Sequence, residues 1–197
     1  MAIAAVPDYL LGVGTDFSQA SPGLRFGMLL PLWEQGFTVK NKKSALDSVR
    51  RLNDSDQALL AALRQRQAGL AAPLAAQGRL LVLDAVAVAP FTTGLGHAHP
   101  LENGFAFLNP YGLPYLPGSG VKGVLRQAAR ELADHQWGDA QGWTPAAIDA
   151  LFGMPDPAAD PDEPSVFQRG ALLFWDVLPQ IAGDRLQVEV MTPHQSH

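Results

Sequence analysis

The sequence predicts an α+β fold, and three observations carry that expectation. "RLLVLDAVAVAP" (79–90) is a short run rich in Leu and Val, bounded by Gly78 and Pro90, which is the pattern of a strand. In residues 120–134, Val121, Val124, Leu125, Ala128, Ala129 and Leu132 recur at i, i+3, i+4, i+7, i+8 and i+11, the spacing of one helix face. "GALLFWDVLP" (170–179) and "RLQVEVMTP" (185–193) read as two more strands, joined by a turn through "QIAGD".

Taken in chain order, residues 1–43 are irregular, punctuated by Gly12, Gly14, Pro22, Gly23, Pro31 and Gly36, and end near a short basic stretch, "TVKNKKS". Residues 44–70 carry Ala45, Leu46, Val49, Leu52, Leu59, Leu60 and Leu63 at helical spacing in two segments, with "NDSD" (53–56) between them. Ser55 or Asp56 is expected to cap the second segment and Pro73 to end it. After the 79–90 strand comes a Gly/Pro-rich segment, 91–119, in which "ENGFAFLN" (102–109) suggests a short hairpin arm. "TPAAIDALFG" (144–153) has Thr144 as N-cap, Pro145 at the first helical position and Gly153 as stop. "MPDPAADPDEPS" (154–165) is acidic and proline-rich, and reads as a mobile loop.

The order strand, helix, strand, strand matches the first four elements of a β-α-β-β-α-β ferredoxin-like unit. Residues 1–78 are read as an irregular and helical N-terminal extension, and 79–197 as the ferredoxin-like domain, its C-terminal helix and strand expected to be missing. A sheet without its last strand exposes an unpaired edge. A fragment, a split gene, or a unit completed by a partner would each account for that.

Composition narrows the function classes. Apolar residues make up 47% of 197, enough for a real core. There is no cysteine, so disulfides and thiolate metal sites are excluded. No apolar run approaches the ~20 residues of a membrane helix, and the start lacks the basic and long apolar regions of a signal peptide. A cytoplasmic location without membrane contact is expected. The formal charge of −5 argues against simple nucleic-acid binding unless positive charge is concentrated locally. The acidic segment supplies four carboxylates, Asp156, Asp160, Asp162 and Glu163, so segregated charge is expected.

"YLPGSGVKGVLR" (115–126) contains GxGxxG in Gly118, Gly120 and Gly123. A dinucleotide site needs a buried strand directly before this motif and an acidic residue on a second strand about 20 residues on. Here "NPYGLPYLP" precedes it with three prolines, and "QGWTPAA" follows at that distance. A P-loop fails because Val124 stands where its lysine belongs. A tight turn at Pro117-Gly118 with Ser119 as cap, leading into a core helix, is the plain structural reading. Lys122, Arg126 and Arg130 add to it, since i, i+4, i+8 places them on one flank beside the apolar stripe. With the amides of a helix N-terminus and glycines that let a backbone come close, this makes a site for a polyanion tracking along a helix. Ion pairing with Glu131, Asp134 or other acids is the alternative use of the arginines.

"TTGLGHAHPLENG" (92–104), "GLPYLPGSGVKGVLR" (112–126), "LFG" (151–153), "GALLFWDVLP" and "VMTPH" (190–194) follow one another in an order that strongly resembles the RAMP superfamily of CRISPR effector proteins. Within it they resemble the sixth-subunit family of the Cmr complex, the type III-B RNA-targeting effector. The resemblance covers roughly residues 80–194. It implies a ferredoxin-like fold of the RNA-recognition type, assembly with other Cmr/RAMP subunits on guide crRNA and target RNA, and a role in antiviral defence. By motif match, Gly118, Ser119, Gly120, Lys122, Gly123 and Arg126 would lie near RNA backbone. Where the family pattern has a second serine, this chain has Gly120, so one hydroxyl contact is lost. Arg130 extends the same flank, and Tyr115, directly before the turn, is the best base-stacking candidate.

His97 and His99 flank Ala98, with Glu102 following. They are read as RNA-contacting or loop-structuring residues. The alternative is a metal-independent endoribonuclease in which the two imidazoles act as general base and acid. A metal shared with Glu102 is a weaker reading, and no cofactor or metal is expected. The resemblance favours a non-catalytic subunit, because target cutting in the Cmr complex belongs to another subunit with an aspartate loop not recognisable here. Assembly without RNA contact is a third class. Asp176, inside an apolar run, is expected to bond neighbouring backbone or a basic partner.

Overall fold

A computed structural model describes residues 4–11, 16–34, 36, 38–39, 41–154 and 168–188. The acidic segment from 155 on, residues 189–193 of the last expected strand, and His194 and His197 lie outside the described residues. The architecture is α+β, with six helices and one two-stranded sheet among the described residues. The elements are α1 (Asp8–Leu11), α2 (Pro22–Gly27), α3 (Lys42–Val49), α4 (Asp54–Ala76), β1 (Ala98–His99), β2 (Glu102–Asn103), α5 (Gly118–Ala133) and α6 (Pro145–Phe152). No helix among the described residues is long and apolar enough to cross a membrane. The chain divides into two compact units, 1–115 with 178–197, and 116–177.

In the first unit the core is Phe26, Leu30 and Leu32 after and within α2, Ala45 and Val49 on α3, and Leu101. Phe105 and Phe107 pack against it, so the N-terminal residues and the 101–107 segment share one core. Arg25 is buried and holds this unit together. Its Nε donates to Ala20 O at 2.8 Å, its Nη1 to Ser48 O at 3.0 Å and its Nη2 to Arg51 O, and Nη2 lies 3.9 Å from Asp56. The cap of α4 is Asn53, not Ser55 or Asp56. Asn53 Oδ1 accepts from the Asp56 amide at 2.8 Å, and Asp56 Oδ2 accepts from the Asn53 amide at 3.0 Å. That reciprocal box satisfies two orphan amides at once, so it outcompetes a single cap one turn later. The helix also runs past Pro73 to Ala76. Its i−4 residue is Gly69, and Pro73 lies in the last turn, where a lost hydrogen bond weakens little of the helix downstream.

The expected sheet is not present among the described residues. Residues 79–90 belong to no ladder, and their apolar side chains are exposed, Leu83 at 77% and Val88 at 102%. A strand is stable only where a neighbour accepts its backbone hydrogen bonds and covers a face. The neighbours expected from the sequence are engaged elsewhere. Arg185 bridges Arg51, Leu52 N donates to Asp184 O at 2.8 Å, and Leu186 N to Arg50 O at 2.8 Å. Among the described residues the 170–179 run makes one bridge, Val177 to Leu116. The hairpin arm is real but starts earlier than 102, with Ala98 opposite Asn103 and His99 opposite Glu102.

The second unit packs α5 on α6. Ala129, Ile148 and Phe152 are its buried centre, with Trp143 and Phe174 against them, and the Phe152 and Phe174 rings stack at 5.9 Å. Thr144 caps α6 through the Ala147 amide at 3.2 Å, Pro145 opens it, and Gly153 closes it at φ +88°, as its residue types imply.

Candidate nucleic-acid interface

Helix α5 packs on α6 through Ala129, with Ala133 beside it, while Val124 and Leu125 of the expected stripe are exposed; Lys122 and Arg126 lie on the same helix. It begins at Gly118 with Pro117 as N-cap, so Ser119 is helical and is not the cap. Gly118 is buried against residues 174–175, and a Cβ there would meet Phe174 O at 2.2 Å. Its amide donates to Asp176 Oδ1 at 2.7 Å, the backbone bond expected of that aspartate. The first amide of the helix therefore already holds a carboxylate.

Further along the flank the helix borders a recess. A cavity of about 300 Å³ opens beside α5, with Ser119, Lys122, Gly123 and Arg126 on one wall. The opposite wall is the end of α6 at Gly153 and Met154 together with Gln168, Arg169 and Gly170. Three cations, Lys122, Arg126 and Arg169, line it. Arg126 is the centre of the site. Its Nη2 forms an ion pair with Asp149 Oδ1 at 3.6 Å, too long for a hydrogen bond, and among the described residues Nε and Nη2 are buried with no hydrogen-bond partner. Buried donors without an acceptor carry a desolvation penalty of about 1–3 kcal/mol each. An oxyanion entering the cavity would relieve it.

The structure groups only part of the residue set read from the sequence. Ser119, Lys122, Gly123 and Arg126 line the cavity, Gly120 is exposed on the same helix, and Arg130 is exposed in its last turn without lining the cavity. Tyr115, His97 and His99 belong to the first unit. His97 is exposed. The His99 ring is stacked on Phe26 at 4.0 Å, its Nδ1 accepts from the Leu101 amide at 3.1 Å, and its Nε2 is 3.2 Å from Phe26 O. With Nδ1 an acceptor, Nε2 carries the proton and donates to that carbonyl. Both nitrogens are hydrogen-bonded within this unit. Among the described residues no group of three or more His, Asp or Glu side chains is placed to hold a metal ion.

Gln168, Arg169 and Asp149 were missed in the sequence. Arg169 directly precedes a flagged stretch beginning at Gly170, and that adjacency was the only available signal.

An α+β chain with a cation-lined recess on a glycine-rich helix has the general character of a polyanion-binding protein. A family model, the RAMP superfamily, matches residues 84–185, and the chain belongs to that superfamily. Membership points to a CRISPR-associated, RNA-binding function in company with other subunits. Comparison with curated proteins and with solved structures gives no match.

Proposed function

We propose that this chain is a non-catalytic RNA-binding subunit of a type III-B CRISPR effector, a counterpart of the sixth subunit of the Cmr complex. The flank of α5 holds the backbone of guide or guide–target RNA, and sequence is read by base pairing between the two RNAs. The observation that carries this reading is the cavity shared by Lys122, Arg126 and Arg169, in which Arg126 pairs with Asp149 but makes no hydrogen bond through Nε or Nη2 among the described residues. It gives a net acidic chain the local positive field that RNA needs. The fold is read as ferredoxin-like, with 79–90 as a strand whose sheet is completed on assembly. The uncovered Leu81, Leu83, Val86 and Val88 support that reading.

The test is incubation of the chain with end-labelled single-stranded RNA. Retarded RNA that stays intact, and is released by Lys122→Ala with Arg126→Ala, is expected. Retention unchanged in that double variant would make the protein an assembly element only, and cleavage lost in His97→Ala would make it a nuclease.

A further inference from the structure

Two glycines build the wall of the cavity that faces α5. Gly153 and Arg169 form an antiparallel bridge, and Met154 N donates to Gln168 O at 3.2 Å. Ala171 N and Leu172 N donate to Ala150 O and Leu151 O at 2.9 and 3.0 Å, using carbonyls that the end of α6 leaves open. This contact requires both glycines. A Cβ on Gly170 would meet Gly153 N at 2.4 Å, and one on Gly153 would meet Gln168 O at 2.8 Å. The backbone approach fixes Arg169 across the recess from Lys122 and Arg126. Among the described residues no carboxylate pairs with Lys122 or Arg169.

The α5 wall carries a complementary gap. Gly123 lies in the helix interior, where glycine costs about 1 kcal/mol relative to alanine. A Cβ there would have no atom within 4 Å, so no packing inside the chain demands its absence. The space it leaves opens into the cavity.

We propose that the cavity is a two-walled clamp for one phosphodiester of single-stranded RNA, with Arg169 and Gln168 gripping it from the side opposite Lys122 and Arg126. This rests on the RNA-binding reading above and adds to it a ligand class and a residue. A recess of about 300 Å³ is at the small end of ligand pockets, room for a phosphate and part of its flanking nucleotide. A single strand can bend a phosphate into such a recess. A duplex is rigid and is recognised across its surface by shape.

The experiment is fluorescence anisotropy with the full chain, a labelled 12-nucleotide single-stranded RNA and the same RNA in a preformed duplex. Arg169→Ala should weaken single-strand binding roughly tenfold, as expected for loss of one charged hydrogen-bonding partner. It should also flatten the log–log salt slope, by less than the roughly 0.7 that loss of the whole phosphate contact would give. Arg169→Lys, which keeps charge but not the fork, should recover part of the loss. Arg169 is exposed, so an unchanged melting temperature is expected as the folding control. Lys122→Ala weakening RNA binding while Arg169→Ala does not would overturn the clamp and leave the RNA-binding reading standing. Duplex bound as tightly, and as sensitive to Arg169→Ala, would overturn the single-strand assignment. Wild-type protein that binds neither RNA at low salt would overturn the underlying reading.

Discussion

The amide of Gly118 donates to the carboxylate of Asp176 at 2.7 Å, so the start of α5 is occupied by the protein's own anion. A carboxylate at a helix N-terminus stabilises through the hydrogen bond and the dipole together. Asp176→Ala is expected to lower stability by about 1–2 kcal/mol, read as a denaturant midpoint shift at constant slope. Gly118→Ala should be worse, because a Cβ would stand 2.2 Å from Phe174 O and the backbone must move.

Gly123→Ala separates stability from binding. Alanine in the helix interior should stabilise by up to about 1 kcal/mol, since the added methyl meets nothing inside the chain. Gly123 lines the cavity, so an added methyl there should weaken RNA binding. A variant that melts higher and binds RNA unchanged would place the ligand elsewhere.

Much of the second unit was legible in the sequence. The stripe of α5 and the Thr144, Pro145 and Gly153 signals of α6 are local, set by residue type and spacing. The sheet was not legible in the same way, because strand formation depends on which neighbour supplies hydrogen bonds. Arg50 illustrates the point: its Nε and its carbonyl both engage Leu186, at 2.8 Å each, a pairing across 136 positions that periodicity does not encode. Arg169 was hidden for a related reason. It reaches the recess only because Gly153 and Gly170 touch, and nothing in the sequence pairs those two glycines.

Arg25 should govern the stability of the first unit. Arg25→Met strands three backbone carbonyls and leaves Asp56 buried without its cation, a loss of about 3–5 kcal/mol. Burial already holds the Asp56 carboxyl above its ordinary value of 3.8, against the opposing pull of the Asn53 amide and Arg25. A group raised in the folded state contributes stability that is full below pH 3.8 and is lost as pH rises through the folded-state pKa. In Arg25→Met the Asp56 carboxyl loses its cation and rises further, so mild acidification should recover part of the lost stability. Thermal melts of both proteins against pH would check the sign.

His99 should behave as a packing residue. Its stack on Phe26 and its two hydrogen bonds predict a loss of about 1–3 kcal/mol for His99→Ala. At a temperature where the variant is folded, its RNA affinity should match the wild type in an anisotropy titration.

The most direct measurement is the salt dependence of single-strand RNA affinity for the wild type and for Lys122→Ala with Arg126→Ala. One phosphate neutralised in the cavity predicts a contribution of about −0.7 to the log–log slope, lost in the double variant. Equal slopes in the two proteins would contradict the claim that this cavity grips the RNA backbone.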